Sequence, residues 1–493
     1  MKHNFTFKLN YYIIKEYIMR KTKIVITVGP STSSFDMLKE LILKGVNVFR
    51  LNFSHGDYET HTQSIKNIRE ASKVLNKEVA ILQDISGPKV RIGKIEGTLF
   101  LKKGEKLKLT KEDNMEDERT LALSYPLIID MVNVGEEVFF ADGTIQTVVI
   151  NKDENHLELE LLNDGELTSK KGVNFPKTKL KISAITQKDR EDLAFGAKSD
   201  IDIVALSFVQ NKEDILKAKE IMKSHNFDPF IVSKIETGEA IENLKEILEV
   251  SDGVMVARGD LGAEFGVTKL PRIQKHIISI ANEMNKPSIT ATQMLTSMKE
   301  NPFPTRAEVS DIANAVYDGT DAVMLSDETT IGKFPIKAVE VLHDTIKDVE
   351  HDYPYFKSFN SMSNAEAVSK SAVELAKSMD KEALVSFTMS GMSAQMLSKY
   401  RPKQSIYAIA HTVGIQRQLN LVWGVHPLFV MEKVQNPSQL IFNFIKKIVE
   451  EKRVTMNKRF ILTMGSTSGK KGSTNLIRLL NREEMEAILA LEF

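Results

Sequence analysis

The chain has no cysteine, which excludes disulfide scaffolds, thiolate zinc sites, iron–sulfur clusters and cysteine nucleophiles together. A reducing cytoplasm is the expected compartment. Net charge is missing too: 66 Lys+Arg against 66 Asp+Glu leave a formal charge of +0. No global field draws such a chain to nucleic acid or to an anionic membrane, so any phosphate chemistry must be local. No apolar run approaches the roughly 18 residues needed to cross a bilayer, and neither a membrane nor a nucleic-acid partner is expected. The stretch Met1–Arg20 breaks its short apolar piece with Lys15 and Glu16, unlike a secretory leader. The first strand-like run begins at Lys23, so residues 1–18 are expected to form an unpacked N-terminal extension or an overcalled start ahead of Met19.

What is present is organisation. At one domain per roughly 100–200 residues, 493 residues make about three domains. Short β-branched runs recur at Lys23–Val28, Val46–Arg50, Val79–Gln83, Ile201–Leu206, Phe230–Lys234, Gly253–Ala257, Pro287–Thr290 and Asp321–Leu325, with helical periodicity between them. Eight such alternations predict a parallel sheet closed into an α/β (β/α)8 barrel of the TIM type. The third interval is about 90 residues too long for one βα unit. From Pro88 to about Ser183 the pattern turns to alternating strands with turn signals at Lys103-Gly104, Asp142-Gly143 and Asn163-Asp164-Gly165, which predicts a small β-barrel inserted as a lid. A helix at Ala365–Met379 and strands at Leu384–Phe387, Ile406–Ala410, Leu428–Met431 and Arg459–Met464 predict a separate C-terminal α/β domain, after a linker around Pro354. The expected division is 1–18 extension, 19–87 and 184–355 barrel, 88–183 lid, and 361–493 C-terminal domain.

In such a barrel the active site is built at the C-terminal strand ends, and here those ends are polar: Arg50 to His55, Asp84-Ile85-Ser86-Gly87, Ser207 to Gln210, Lys234-Ile235-Glu236, Ala257 to Asp260, Ala291-Thr292-Gln293 and Ser326-Asp327-Glu328. Alternation puts Lys234 and Glu236 on one face. An isolated K-x-E reads as a buried ion pair. With Asp260 contributed by the next strand, the two acids instead suit an oxygen-ligated Mg2+ or Mn2+. Arg50 and Lys234 complete the parts phosphoryl transfer needs: a metal, a fork-shaped donor and an ammonium for developing charge. Backbone at Gly259, Asp260 and Gly262 can approach an anion at a helix start. His55 either meets a nucleotide or fixes its own loop.

These residues stand in motifs. Arg50-Leu51-Asn52-Phe53-Ser54-His55-Gly56, Ser233-Lys234-Ile235-Glu236, Met255 to Gly262, Ala291 to Leu295 and Pro304 to Asp311, in this order around a β insertion, together resemble the pyruvate kinase family from about Lys21 to the C-terminus. The resemblance implies phosphoryl transfer from phosphoenolpyruvate to ADP, giving pyruvate and ATP. It implies that Glu236 and Asp260 hold the divalent metal and that Arg50 grips the phosphoryl group. Lys234 stabilises charge on that group and on the enolate oxygen. Gly259, Asp260 and Thr292 hold the substrate carboxylate, with Thr292 near the face where the enolate is protonated. Asn52 and His55, with Arg91 and Lys171 of the lid, meet the nucleotide. A homotetramer is implied by the family alone.

The match has departures. The family's potassium site corresponds to Asn52, Ser54, Asp84 and a Thr that is Ile85 here, and a nearby Glu is Lys89. The Lys89 ammonium replaces the monovalent charge, so little or no potassium activation is expected. Asp327 stands where the family has a small residue. In the C-terminal domain Thr388, Ser390, Gly391 and Ser393, with the Gly465–Ser473 loop, resemble effector-phosphate loops, although the usual Arg is Met392. They also read as plain strand-to-helix turns; a sugar phosphate of open identity is the implied effector. Two other readings compete: a magnesium-dependent, enolate-forming barrel lyase or aldolase, which has no use for a lid bearing Arg91 and Lys171, and a non-catalytic sugar-phosphate sensor, which has no use for an intact set of Arg50, Lys234, Glu236 and Asp260.

Overall fold

A computed structural model describes residues 20–112, 119–141, 143–178, 184–361, 363–379, 382–434, 436–451, 459–465 and 474–490. The expected extension at 1–18 and the loop at 466–473 lie outside them. Eight strands form a closed parallel barrel in chain order: β1 (Lys23–Thr27), β2 (Val48–Asn52), β3 (Ala80–Asp84), β4 (Ile203–Leu206), β5 (Phe230–Ile235), β6 (Gly253–Ala257), β7 (Ser288–Ala291) and β8 (Ala322–Leu325). Each begins within two residues of its expected position. β1, β3, β4, β6, β7 and β8 are buried along their whole length, the mark of strands covered on both faces and the reason they read as unbroken apolar runs. Helix starts are fixed locally. Reciprocal capping boxes close at Thr186/Asp189, Asn211/Asp214 and Thr305/Glu308, each satisfying first-turn amides that would otherwise lack partners.

Packing divides the chain into two compact units. One consists of Asp84–Lys198 and Ala205–Ile277. It holds the insertion, whose core runs from Val90 and Ile92 through Leu107, Phe140 and Leu159 to Phe175. The insertion expected from the sequence is present as a sheet-rich domain, and its strands pair in two groups. Val173–Asn174, Glu137–Phe140, Ile145–Lys152, His156–Leu161, Lys106–Thr110 and Thr120–Ala122 form a six-stranded sheet, while Gly165–Thr168 pairs with Thr98–Leu101. The turn into the insertion depends on Gly87, at φ 63, where a Cβ would stand 2.8 Å from the Ser207 carbonyl oxygen. No other residue lets the chain pass so close to β4.

The other unit holds the remaining strands and the C-terminal domain. That domain is a five-stranded sheet in the order β11 (Val425–Val430), β10 (Ile406–Ala410), β9 (Glu382–Thr388), β12 (Arg459–Gly465), β13 (Thr474–Leu480). β13 runs antiparallel at the edge; its interleaved polar residues hide it in the sequence. β11 starts three residues before its expected position because Pro427 is tolerated at the opposite edge, where a missing N–H costs no ladder bond. The domain is tied to the N-terminal ends of the strands. The buried Arg401 guanidinium donates to both Asp321 oxygens (2.9 and 3.1 Å), to the Gly319 carbonyl and to Asn282, and stacks 4.9 Å from the Trp423 ring. Among the described residues no helix is long and apolar enough to cross a membrane.

Candidate active site

The extended stretch at the end of β5 places Lys234 and Glu236 on one side and buries Ile235 on the other. Lys234 Nζ lies 3.0 Å from Glu236 Oε1 and 3.2 Å from Asp84 Oδ1, and donates to Ser207 Oγ at 2.7 Å. Ser207 is itself held, donating to the Ile85 carbonyl at 2.7 Å. The second oxygen of Glu236 accepts the Phe208 amide at 2.6 Å, which Phe208 can present because it adopts a left-handed φ of 54, a conformation retained where surrounding structure enforces it. The ammonium is therefore aimed by three residues from three strand ends. The holding roles of Ser207, Phe208 and Asp84 escape a reading of the sequence, since Asp84 reaches Lys234 from a distant strand and Ser207 and Phe208 reach Lys234 and Glu236 from the preceding βα unit.

Asp260 lies in the first turn of the helix Arg258–Phe265 that follows β6, rather than on the strand itself. β6 pairs in parallel with β5, Lys234 opposite Met255, so the two acids come from neighbouring units as expected. Burial pushes the Glu236 carboxyl up; Lys234 pulls it down, and the like charge of Asp260 pushes it up again. Lys89 Nζ lies 2.9 Å from Asp260 Oδ1. Among the described residues no group of three or more His, Asp or Glu side chains could hold a metal by itself. Two carboxylates that repel, one of them fully buried, fit a hard divalent cation that takes its remaining oxygens from substrate and water.

Beside these acids the same unit encloses a cavity of about 310 Å³, lined among others by Lys89, Asn174, Phe208, Glu242, Glu264 and Phe265. Glu264, four residues beyond Asp260, is pushed up to about 7 by burial, with a smaller push from Asp260, against the pull of the Gly238 amide. In the insertion, Arg91 bridges Gly172 across an isolated antiparallel pair and donates from Nη1 to the Lys170 carbonyl at 3.0 Å. The two expected nucleotide contacts, Arg91 and exposed Lys171, thus flank one bridge.

In the other unit Arg50 stands in the middle of β2, buried, and donates from Nη1 to Thr27 Oγ1 at 2.9 Å. Asn52 Oδ1 accepts the Ser54 amide at 3.2 Å. The His55 side chain is exposed, whereas its carbonyl meets His61 Nε2 at 3.0 Å. Thr292 and Gln293, just past β7, hold left-handed φ values of 68 and 55, a conformation that non-glycine residues keep only where the surrounding structure enforces it. Buried Glu328 accepts from the Leu295 and Ser326 amides at 2.9 and 2.8 Å, so it shapes that turn's neighbourhood. Asp327 is exposed, 3.7 Å from Lys299. Of the positions matching the family's potassium site, Ile85 is buried and apolar and offers no side-chain oxygen, and Asp84 already faces Lys234. In the C-terminal domain Thr388 ends β9, Ser390 follows, and Gly391, at φ 82, precedes the helix Met392–Lys399. Ser393 Oγ lies 2.6 Å from Thr474 Oγ1, and Asn285 Nδ2 donates to the Met392 sulfur at 3.7 Å.

Comparison with known proteins places the chain in a family. A family model for the pyruvate kinase barrel domain matches residues 19–339, and one for the pyruvate kinase alpha/beta domain matches residues 366–480. The pyruvate kinase of Staphylococcus epidermidis is 40% identical over 470 residues, 94% of this chain and 80% of that one. That of Geobacillus stearothermophilus is 42% identical over 470 residues, 93% and 80% of the two chains. A crystal structure of a pyruvate kinase from Cryptosporidium parvum superposes with a TM-score of 0.87 at 36% identity, covering 95% of this chain and 97% of that one. Barrel, sheet-rich insertion and C-terminal α/β domain match the pyruvate kinase fold, and the chain belongs to the pyruvate kinase family of phosphotransferases.

Proposed function

We propose that Lys234, Arg50 and Thr292 carry the transfer of the phosphoryl group from phosphoenolpyruvate to ADP in this chain. The observation that carries the proposal is the Lys234 ammonium, held within 3.0–3.2 Å of Glu236 and Asp84 and by Ser207. A phosphoryl transition state is loose and offers little covalent work, so fixed charge and positioning supply most of the catalysis. Arg50 grips the transferred group, and Lys234 stabilises the charge that develops on it and on the enolate oxygen. Backbone at Gly259 and Asp260, with the Thr292 hydroxyl, orients the substrate carboxylate. Asn52, His55, Arg91 and Lys171 meet the nucleotide, and the insertion excludes water from the group in flight.

Glu236 and Asp260 hold Mg2+ or Mn2+; when bound, it polarises the oxygens of the substrate. Lys89 supplies, beside Asp260, the positive charge that a potassium ion brings in other members, with Asn52, Ser54, Asp84 and Ile85 as the vestigial site. The loop Thr388, Ser390, Gly391 and Ser393 takes the phosphate of a sugar-phosphate effector. The enzyme works in the cytoplasm as a homotetramer. A coupled pyruvate assay with phosphoenolpyruvate, ADP and Mg2+ tests these roles together. The expected result is ADP-dependent turnover that is indifferent to potassium and rises in substrate affinity with one of several sugar phosphates. Consumption of phosphoenolpyruvate without ADP contradicts the transfer; a large loss of rate without potassium contradicts the role of Lys89; no response to any sugar phosphate contradicts the effector loop.

A further inference from the structure

We infer that Glu264 is a positioning residue that sets the spacing of the two metal-binding acids by tying the segment after Glu236 to the helix that carries Asp260. This rests on the reading of Glu236 and Asp260 as a divalent-cation pair. The helix Arg258–Phe265 carries Asp260 and Glu264 four residues apart, on one face. The helix Gly238–Glu242 starts two residues after Glu236. Its first-turn amides have no partner within the helix. Thr237 caps Ala240 at 3.3 Å, and the Gly238 amide is taken by Glu264 Oε1 at 3.2 Å. The approach is close: a Cβ on residue 238 would stand 3.2 Å from Phe265 Cζ and 3.6 Å from Glu264 Oε1.

Glu264 is an expensive residue at this place. It is largely withdrawn from water, and burial pushes its carboxyl up to about 7, with Asp260 adding to the push. The charged groups around it are Asp260 on its own helix, Glu239 and Glu242 on the facing helix, and Lys89 and Lys177 at the wall of the cavity. Lys89 is engaged with Asp260, and Lys177 lies 3.0 Å from Glu137. Glu264 accepts from the Gly238 amide, and through Thr237 that bond reaches Glu236. A residue holding this clip controls how far apart the acids stand without touching the substrate.

Direct binding of Mn2+ to the full chain at pH 8, read from the free-ion paramagnetic resonance signal, tests the clip without recourse to turnover. Glu264→Ala is expected to weaken Mn2+ binding about tenfold, while Glu264→Gln, whose amide oxygen still accepts from Gly238, stays within about twofold of wild type. Gly238→Pro, which leaves Glu264 in place but removes the amide it accepts, at a first helical position where proline is tolerated, is expected to weaken binding as well, and keeps the test available should Glu264→Ala fail to fold. Wild-type affinity in both Glu264→Ala and Gly238→Pro, or equal losses in Glu264→Gln and Glu264→Ala, overturns the inference. A wild-type chain that binds Mn2+, a Glu236→Gln chain that does not, and unaffected clip variants reject the clip and leave the cation pair standing; a wild-type chain that binds no Mn2+ rejects both.

Discussion

Lys23 opens β1 and Lys234 nearly closes β5, and the barrel surrounds them in opposite ways. Lys23 is 2% exposed and donates to the Val425 carbonyl of the C-terminal domain. Burial pulls its amine down to about 7, with Arg20 adding to the pull. The nearby carboxylate of Glu350 is committed to the Lys21 and Thr22 amides. Lys234 has two carboxylates and a hydroxyl within 3.2 Å. The N-terminal strand ends use a lysine as a long hydrogen-bonding arm that holds domain to domain and has little need of its charge. The C-terminal ends gather charge around theirs. The contrast fits the division of labour expected of such barrels, with stability at one face and chemistry at the other.

The largest effect that sharpens this contrast belongs to Lys234. Lys234→Met is expected to lower turnover by about three orders of magnitude while leaving Mn2+ binding nearly intact, because a preorganised charge at the developing oxyanion is worth that much. Turnover near the wild-type rate in that variant breaks the assignment. The corresponding change at the other end is expected to be small and to appear in stability alone. A folded-state value of about 7 for Lys23 lies below its ordinary 10.5, so the unfolded chain binds more protons between those limits and stability rises with pH across them. The slope contributed by one such group is up to about 1.4 kcal/mol per pH unit. Half-buried Lys77, also pulled down to about 7 by desolvation, adds a second contribution of the same sign. Lys23→Met is therefore expected to flatten the rise of melting temperature between pH 7 and 9 without removing it, and to leave turnover per folded molecule unchanged. An unaltered slope contradicts the burial argument.

The same contrast explains what the sequence discloses. The barrel strands are legible because each is a β-branched run buried on both faces and followed by a helix. The acids and cations are legible because polar residues at strand ends have no structural reason to cluster. What holds the cluster together is not legible. Lys234 finds Asp84 from a strand far away in sequence and Ser207 from the strand before its own, and Glu264 acquires its place only from a backbone amide and from burial. The two sheets of the insertion and the edge strand Thr474–Leu480 escape for a related reason: partner choice among short polar-faced strands is decided by packing and not by alternation.

The central claim is that Glu236 and Asp260 clamp a divalent cation beside the Lys234 ammonium. Side-by-side Mn2+ titrations of the wild-type and Glu236→Gln chains test it most directly. One tight site in the wild type, weakened about a hundredfold or more in Glu236→Gln with the melting profile preserved, is the result predicted; equal Mn2+ affinity in the two chains contradicts the account.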